Sequence, residues 1–213
     1  MKLYSDERAP SPRRVHLFLD ARGIQVPVEA VDLTAGAQLE AEFLAINPDG
    51  TVPVLELDDG TRITEVVAIC RYLDEIFDGE PLYGRTARER ARVLDADHWL
   101  EMQGLLAVME GFRNGAPGMK DRGLPGPTPV VQLPELAERG RQRFERFLDL
   151  LDSRLEKGAH NHGWIAGDEF SGADITAWVI LEFAGWGLKL HPQPAHRALL
   201  DWRSRAAERL RIE

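Results

Sequence analysis

The sequence has one cysteine, no long apolar run and fewer basic than acidic residues, and each shortage excludes a class of protein. Cys70 alone among 213 residues cannot form an internal disulfide or a cysteine-only metal site, as expected in a reducing compartment. No apolar stretch approaches the roughly 18 residues of a membrane span, and the N-terminal segment MKLYSDERAP does not follow the signal-peptide pattern. We therefore expect a cytoplasmic protein with no membrane partner.

The net charge and the absence of several known motifs exclude further classes of function. The 26 basic and 35 acidic residues give a net charge of −9, which repels phosphate backbones and predicts no nucleic-acid partner. The chain has no Gly-x-Ser-x-Gly elbow, Walker loop, Gly-rich dinucleotide fingerprint or His-Glu-x-x-His, and its histidines do not cluster, so we expect no metal. Cys70 falls on the apolar face of a predicted helix, where a cysteine is a weak nucleophile.

The first 80 residues alternate strand and helix patterns. A strand, a helix ended by glycine and a second strand occur within about 30 residues, which indicates a βαβ unit with parallel strands. A short helix, a hairpin with an Asp-Gly turn and an amphipathic helix follow. The predicted elements are Lys2–Ser5, Arg13–Arg22, Pro27–Asp32, Glu40–Ala45, Val52–Leu57, Thr61–Ile63 and Glu65–Ile76.

The composition changes at DGEPLYG, residues 78 to 84, after which the chain reads as helical throughout. We predict an α/β domain over 1–80 and an all-α domain over 85–213. Residues 114–134 are rich in Gly and Pro and form either a pocket rim or a locally disordered loop. The predicted helices are Thr86–Phe112, one around Phe144–Leu155, one from the Ser171–Asp174 capping box to about Leu188, and His196–Leu210.

Two short segments are suited to binding a peptide-like ligand. Pro53 has no N–H to donate to a neighbouring strand. If the Val52–Pro53 bond is cis, the backbone N–H and C=O of Val52 would face a groove and could pair with an extended peptide. The alternative is that Pro53 is an ordinary proline of an edge strand. Glu65 lies in the first turn of a helix, with Thr64 as its expected cap, so a ligand carboxylate and ammonium could both bind there. The alternative is that Glu65 only complements the helix dipole.

Three runs together resemble the glutathione transferase family. They are FLAINPDGTVPVLELDDG at 43–60, Glu65 with AICRYLDE at 68–75, and FSGADIT at 170–176. The resemblance covers nearly the full length and implies a thioredoxin-like N-terminal domain followed by a helical domain. It also implies glutathione as co-substrate, a small hydrophobic electrophile as second substrate, and a homodimer.

The resemblance assigns glutathione-binding roles to five positions. Val52 and Pro53 would hold the cysteinyl backbone, and Glu65 the γ-glutamyl end. Val66 stands where the family usually has serine, so only its backbone N–H carries over. Gln38 lies where many members place a polar or basic residue for the glycine end, with an ordinary exposed loop residue as the alternative.

The thiol-activating position departs from the family. Alignment of residues 12–24 with the family's first helix puts Ala9 where a Ser or Cys usually stands, as in atypical fungal and bacterial members with a small residue there. Ser11, two residues on, could donate to a thiolate, or could be a helix cap. Tyr4 is another hydroxyl candidate, with strand packing as its alternative.

The helical domain offers other groups near the thiol. Met109, Glu110, Phe112 and Arg113 precede the long loop; Arg113 would stabilise a thiolate, whereas Glu110 would oppose it. Met109 and Phe112 are candidates for the second-substrate pocket. Trp99, Leu105 and Trp186 are further candidates for that pocket, with core packing as the alternative.

Two functions follow. The first is a transferase that conjugates the thiol of glutathione to small electrophiles, with peroxidase activity as a side reaction. The second is a non-catalytic relative serving as a ligand carrier or protein-interaction module, because Ala9 and Val66 both lack a hydroxyl group.

Overall fold

The computed structural model describes residues 1–158 and 163–212, in which it has four strands and eight α-helices. Their order agrees with the predicted βαβ unit, hairpin and helix, followed by a helical half. The strands are β1 Lys2–Ser5, β2 Val28–Ala30, β3 Val54–Glu56 and β4 Arg62–Ile63. The helices are α1 Pro10–Arg22, α2 Ala41–Leu44, α3 Val66–Ile76, α4 Ala87–Leu100, α5 Leu106–Gly115, α6 Pro134–Gly158, α7 Gly172–Gly187 and α8 Arg197–Leu210.

The four strands form one mixed sheet in the order β2-β1-β3-β4. β1 runs parallel to β2 and antiparallel to β3, which in turn runs antiparallel to β4. Leu3 pairs with Leu55 in the centre, and both side chains are fully buried. The predicted fold class, an α/β half followed by an all-α half, is therefore confirmed.

Helix α1 begins three residues earlier than predicted and ends where predicted. Pro10 is its first residue, a position that suits proline because the fixed φ is helical and the missing N–H is not needed. Gly23 ends it with a left-handed φ of 65°. At α3 the predicted Thr64 cap is wrong, because Glu65 is the N-cap and Thr64 lies one residue too early to reach the first-turn amides.

The predicted helix over 86–112 is one continuous run with a wider turn inside it. α4 and α5 are joined by a π-helical turn at Glu101–Leu105, and a Thr86–Glu89 capping box starts α4. After α5 a short 3₁₀ turn, Pro117–Met119, opens the long loop. Within the described helical half the only β-type pairing is a single bridge between Arg122 and Val130.

Helix α7 passes through the centre of the helical half. The predicted capping box is present, and the fully buried Asp174 carboxylate accepts from the Ser171 hydroxyl at 2.9 Å and the Trp202 indole N–H at 2.8 Å. Across residues 1–158 and 163–212, no helix is both long enough and apolar enough to cross a bilayer.

A buried arginine joins the two halves. The Arg14 side chain on α1 donates to Thr176 on α7 at 3.0 Å and to Glu101 at 2.7 Å, and it faces Asp97 on α4 at 3.4 Å. Apolar residues of both halves surround it in one continuous core. The division at 80–85 stays a prediction, because packing is continuous across it.

Candidate functional site

A cavity of about 400 Å³ lies between the two halves, beside the start of α1. One wall comes from the N-terminal half and the other from α5, α7 and the long loop. This volume is in the range of small-molecule sites. Ser11, Gln38, Val52, Met109, Phe112 and Arg113, all predicted from the sequence, line it.

The backbone of Val52 forms part of the N-terminal wall. The Val52–Pro53 bond is cis, and β3 follows directly with β1 on one side and β4 on the other, so the edge-strand alternative for Pro53 is wrong. Neither the Val52 N–H nor its C=O has a hydrogen-bond partner in residues 1–158 or 163–212. An extended peptide could therefore pair with this residue as an added strand does.

Gln38 is buried, with 3% of its surface exposed, so the alternative of an ordinary exposed loop residue is wrong. Its side chain lines the cavity, and its Oε1 atom has no hydrogen-bond partner in the described part of the chain. A buried amide oxygen without a partner is costly, so a ligand donor at this position would be stabilising.

The first turn of α1 meets the cavity with few backbone donors. Pro10 and Pro12 have no N–H, and the Arg13 N–H already donates to the Ala9 carbonyl at 2.9 Å. The Ser11 N–H is thus the one unpaired amide of this turn in the described structure, and its hydroxyl group has no partner there either. Because Ala9 is the N-cap, the alternative of Ser11 as the cap is wrong.

Tyr4 takes no part in the cavity. Its side chain is 4% exposed, and its ring packs edge-on against Phe43 with centroids 6.3 Å apart. The strand-packing alternative for Tyr4 is therefore confirmed.

The helical wall is aromatic. Phe112, Phe183 and Trp186 form a cluster with ring centroids 4.8 to 5.4 Å apart, and Trp186 stays 47% exposed. Leu105 lines the cavity as predicted. Trp99 does not, because its partly buried ring packs against the core, with its centroid 5.6 Å from that of Phe147.

The cavity carries more positive than negative charge. Arg113 is half-buried and donates to the Arg122 carbonyl at 3.0 Å; burial and then the Arg122 charge lower the pKa of Arg113. Asp6 also lines the cavity, but Arg8 binds both of its oxygens at 2.7 and 2.8 Å. Glu110, predicted to oppose a thiolate, instead pairs with arginines of α6.

The predicted γ-glutamyl site lies apart from these residues. Glu65 is exposed at the start of α3, and neither Glu65, Val66 nor Pro53 is among the residues that line the cavity. The Val66 side chain is buried in the core. The amides of residues 66–68 have no partner in the described structure, whereas Ile69 N–H donates to the Glu65 carbonyl at 2.9 Å.

Cys70 is buried, and burial raises the pKa of its thiol. A thiol with a raised pKa is rarely deprotonated, which agrees with the prediction that Cys70 is a weak nucleophile. Among the described residues no group of three His, Cys, Asp or Glu side chains could hold a metal ion.

Sequence reasoning missed Arg122 and Phe183. Phe183 lies inside an apolar helix that reads as core, and Arg122 lies in the long loop, whose Gly and Pro content indicated only a pocket rim. Met119, Leu124 and Gly126 of that loop also line the cavity, so the pocket-rim alternative is supported.

Comparisons with known proteins agree on one family. Family models described as the glutathione S-transferase N-terminal and C-terminal domains match residues 9–76 and 134–211. Glutathione S-transferase 2 of Saccharomyces cerevisiae is 35% identical, over 97% of this chain and 92% of that protein.

Solved structures of related proteins also superpose on this chain. A glutathione S-transferase domain-containing protein from Marinobacter aquaeolei VT8 superposes with a TM-score of 0.88 at 35% identity, covering 100% of both chains. A maleylacetoacetate isomerase from Methylobacterium extorquens AM1, with bound malonate and GSH, has a TM-score of 0.76 at 26% identity, covering 99% of this chain and 94% of that one.

Proposed function

This chain belongs to the glutathione transferase family, and we propose that it binds glutathione in the cavity and transfers its thiol to a small hydrophobic electrophile. The relatives include proteins named as transferases, as maleylacetoacetate isomerases and as a disulfide-bond oxidoreductase, so the family alone does not define the reaction. The observation that carries the proposal is the cavity itself. It combines unpaired backbone and amide groups in the N-terminal half with an aromatic cluster in the helical half.

The unpaired groups on the N-terminal wall support binding of the tripeptide. The Val52 backbone would pair with the cysteinyl residue, as a strand pairs with its neighbour. The Gln38 side chain would bind the glycine end: its buried Oε1, which has no partner in the described structure, would accept from the glycine N–H, and its amide N–H would donate to the glycine carboxylate.

The γ-glutamyl end would extend beyond the cavity to α3. The three unpaired amides at its start support carboxylate binding through Val66 and its neighbours, and the exposed Glu65 carboxylate would accept from the ligand ammonium.

Thiol activation would fall to Ser11 and Arg113, because Ala9 cannot donate. A thiol with a pKa of about 8.5 is mostly protonated at neutral pH, and nearby donors and positive charge lower that pKa. The Ser11 hydroxyl and N–H both lie at the α1 start, and Arg113 faces the same cavity. Stabilising the thiolate raises its concentration beside the electrophile.

In the reaction the thiolate attacks an electrophilic carbon held against Met109 and Phe112. A carbon–sulfur bond forms, and a leaving group departs with its electron pair. The proposal includes a homodimer, a cytoplasmic location and a peroxidase side activity, which the resemblance to the family implies.

Glutathione binding is tested by calorimetry on the wild type and two variants. Gln38→Ala and Glu65→Ala should each weaken binding about tenfold, the effect of losing one buried or charge-assisted hydrogen bond. Gln25→Ala and Glu42→Ala, at exposed positions of the same half, are the matched controls and should change little. Absence of binding at millimolar glutathione would overturn the proposal.

The second candidate is a non-catalytic carrier, which Ala9 favours because the usual thiol donor is missing. Turnover of a chlorinated nitrobenzene or of a hydroperoxide separates the two functions. Tight glutathione binding with no turnover across a broad electrophile panel would favour the carrier.

A further inference from the structure

Two arginines, Arg113 and Arg122, face the cavity without a carboxylate partner. Neither forms an ion pair with any residue in 1–158 or 163–212, although both line the cavity. Arg113 is held in place because its Nη1 donates to the Arg122 carbonyl, and its remaining guanidinium N–H groups are left for a ligand.

Two nearby carboxylates, those of Asp6 and Glu110, are already engaged by other arginines. Asp6 is bound by Arg8 through both oxygens, and Glu110 pairs with Arg139 and with Arg143 at 3.1 Å. The whole chain has a net charge of −9, so this positive site runs against the charge of the molecule. Two adjacent cations in a half-buried, mostly apolar cavity repel each other unless an anion binds between them.

The position of Arg113 indicates which ligand would bring that anion. Met109, Phe112 and Arg113 lie three and four residues apart on α5, so they share one face of the helix. Met109 and Phe112 belong to the apolar wall proposed for the second substrate. The charge of Arg113 therefore lies beside the proposed electrophile pocket, whereas Gln38 and Val52 belong to the N-terminal half.

We propose that the preferred electrophiles carry a carboxylate, which Arg113 and Arg122 bind while the apolar body rests on Phe112 and its aromatic neighbours. This proposal rests on the transferase function. Two guanidinium groups suit a carboxylate because their planar donors match its two oxygens.

The test compares 4-chloro-3-nitrobenzoate with its methyl ester. With either probe, the glutathione sulfur bonds to the ring carbon that carries chlorine, chloride leaves with the bonding electron pair, and the thiol proton passes to solvent. The two probes differ in charge, and each enzymatic rate is divided by its uncatalysed rate to remove the difference in reactivity.

The informative variant is Arg122→Gln, with Arg88→Gln as a control at an exposed position on α4. Arg122→Gln should lower kcat/KM for the carboxylate by ten- to a hundredfold, the effect of one charge-assisted hydrogen bond, and for the ester less than twofold. The KM for glutathione should stay unchanged. Arg88→Gln should change neither probe.

Three outcomes would overturn the proposal. Equal losses for both probes would mean that Arg122 serves the thiolate. A raised KM for glutathione with both probes would mean that it binds the carboxylate of glutathione itself. No change with either probe would mean that it binds neither.

Binding of an inert pair separates this proposal from the transferase function. Calorimetry with 3-nitrobenzoate and 3-nitrobenzamide requires no turnover, and wild type should bind the benzoate at least tenfold more tightly, with Arg122→Gln removing the difference. Absence of turnover together with this preference would overturn only the reaction. Equal binding of the two compounds would overturn the carboxylate site.

Discussion

At the start of α1, two prolines determine which backbone group is left for a ligand. Pro10 and Pro12 remove two of the donors that a helix N-terminus normally offers, and the Arg13 amide is already bonded. The Ser11 amide and hydroxyl are what remains. With Ala9 as the N-cap, thiol activation would rest on one residue of this turn and on the Arg113 charge across the cavity.

We therefore expect Ser11→Ala to shift the pH profile of conjugation. A donor to the thiolate lowers the pKa of the bound glutathione thiol. Its removal should therefore raise, by about one unit, the apparent pKa seen in kcat/KM for the electrophile at saturating glutathione. The rate would fall about tenfold below that pKa and stay unchanged well above it. Stopped-flow or spectrophotometric rates from pH 6 to 9.5 measure this, with the exposed Ser153→Ala as control. An unchanged profile would contradict a role for the hydroxyl.

Helices α5 and α6 approach each other so closely that their backbones are in contact. A Cβ atom on Gly140 would lie 2.3 Å from the Gly111 nitrogen and 2.7 Å from the Ala107 carbonyl oxygen. Backbone atoms cannot move aside as a flexible side chain can. This close approach sets the distance between the helix that carries Met109, Phe112 and Arg113 and its main packing partner.

Gly140→Ala should accordingly destabilise the protein although alanine favours helices. Overpacking costs about 1–3 kcal/mol or more, which exceeds the gain in helix propensity of up to about 1 kcal/mol. Urea unfolding measures the loss, and Gly118→Ala, where an added Cβ meets nothing within 4 Å, is the matched control. Unchanged stability of Gly140→Ala would mean that the helices can separate without cost.

Arg14 connects the two halves of the molecule through a buried ion pair with Asp97. Its side chain and that of Asp97 are 3% and 1% exposed. Burial raises the pKa of Asp97, and the Arg14 charge opposes that rise. Loss of Arg14 would leave a carboxylate buried without a partner, which is costlier than the pair itself is stabilising.

Arg14→Met should lower the free energy of unfolding by about 3–5 kcal/mol at pH 7. Without Arg14 the folded-state pKa of Asp97 rises further above its unfolded value of about 3.9, so the folded state gains a proton as the pH falls. The loss should therefore shrink between pH 7 and pH 5. Urea unfolding at both pH values measures it.

Two further variants test this explanation. Adding Asp97→Asn to Arg14→Met should recover stability at pH 7 and abolish the pH dependence of the loss. Arg13→Met, which breaks a half-exposed pair with Glu182 at 3.4 Å, should cost less than about 1 kcal/mol. A loss for Arg14→Met that is equal at both pH values would contradict the role of Asp97.

Local chemistry made much of the fold predictable. Glycine at 23, the capping box at Ser171–Asp174 and the Asp59-Gly60 turn are signals within a few residues, and the corresponding elements are present. The errors lie at the starts of helices: α1 begins at Pro10 and not at Arg13, and the N-cap of α3 is Glu65 and not Thr64. A shift of one residue changes which side chain can reach the first-turn amides, so these positions are hard to predict from the sequence.

The family, the order of the elements and the N-terminal wall of the site are predictable from the amino-acid sequence, because Val52, Gln38 and Ser11 lie in or beside recognisable local patterns. The helical wall of the cavity depends on tertiary packing. In the folded chain Glu110 faces α6, Trp99 packs against the core, and Arg122 of the long loop contacts Arg113. Those contacts depend on how distant helices and a loop pack, which no local spacing specifies.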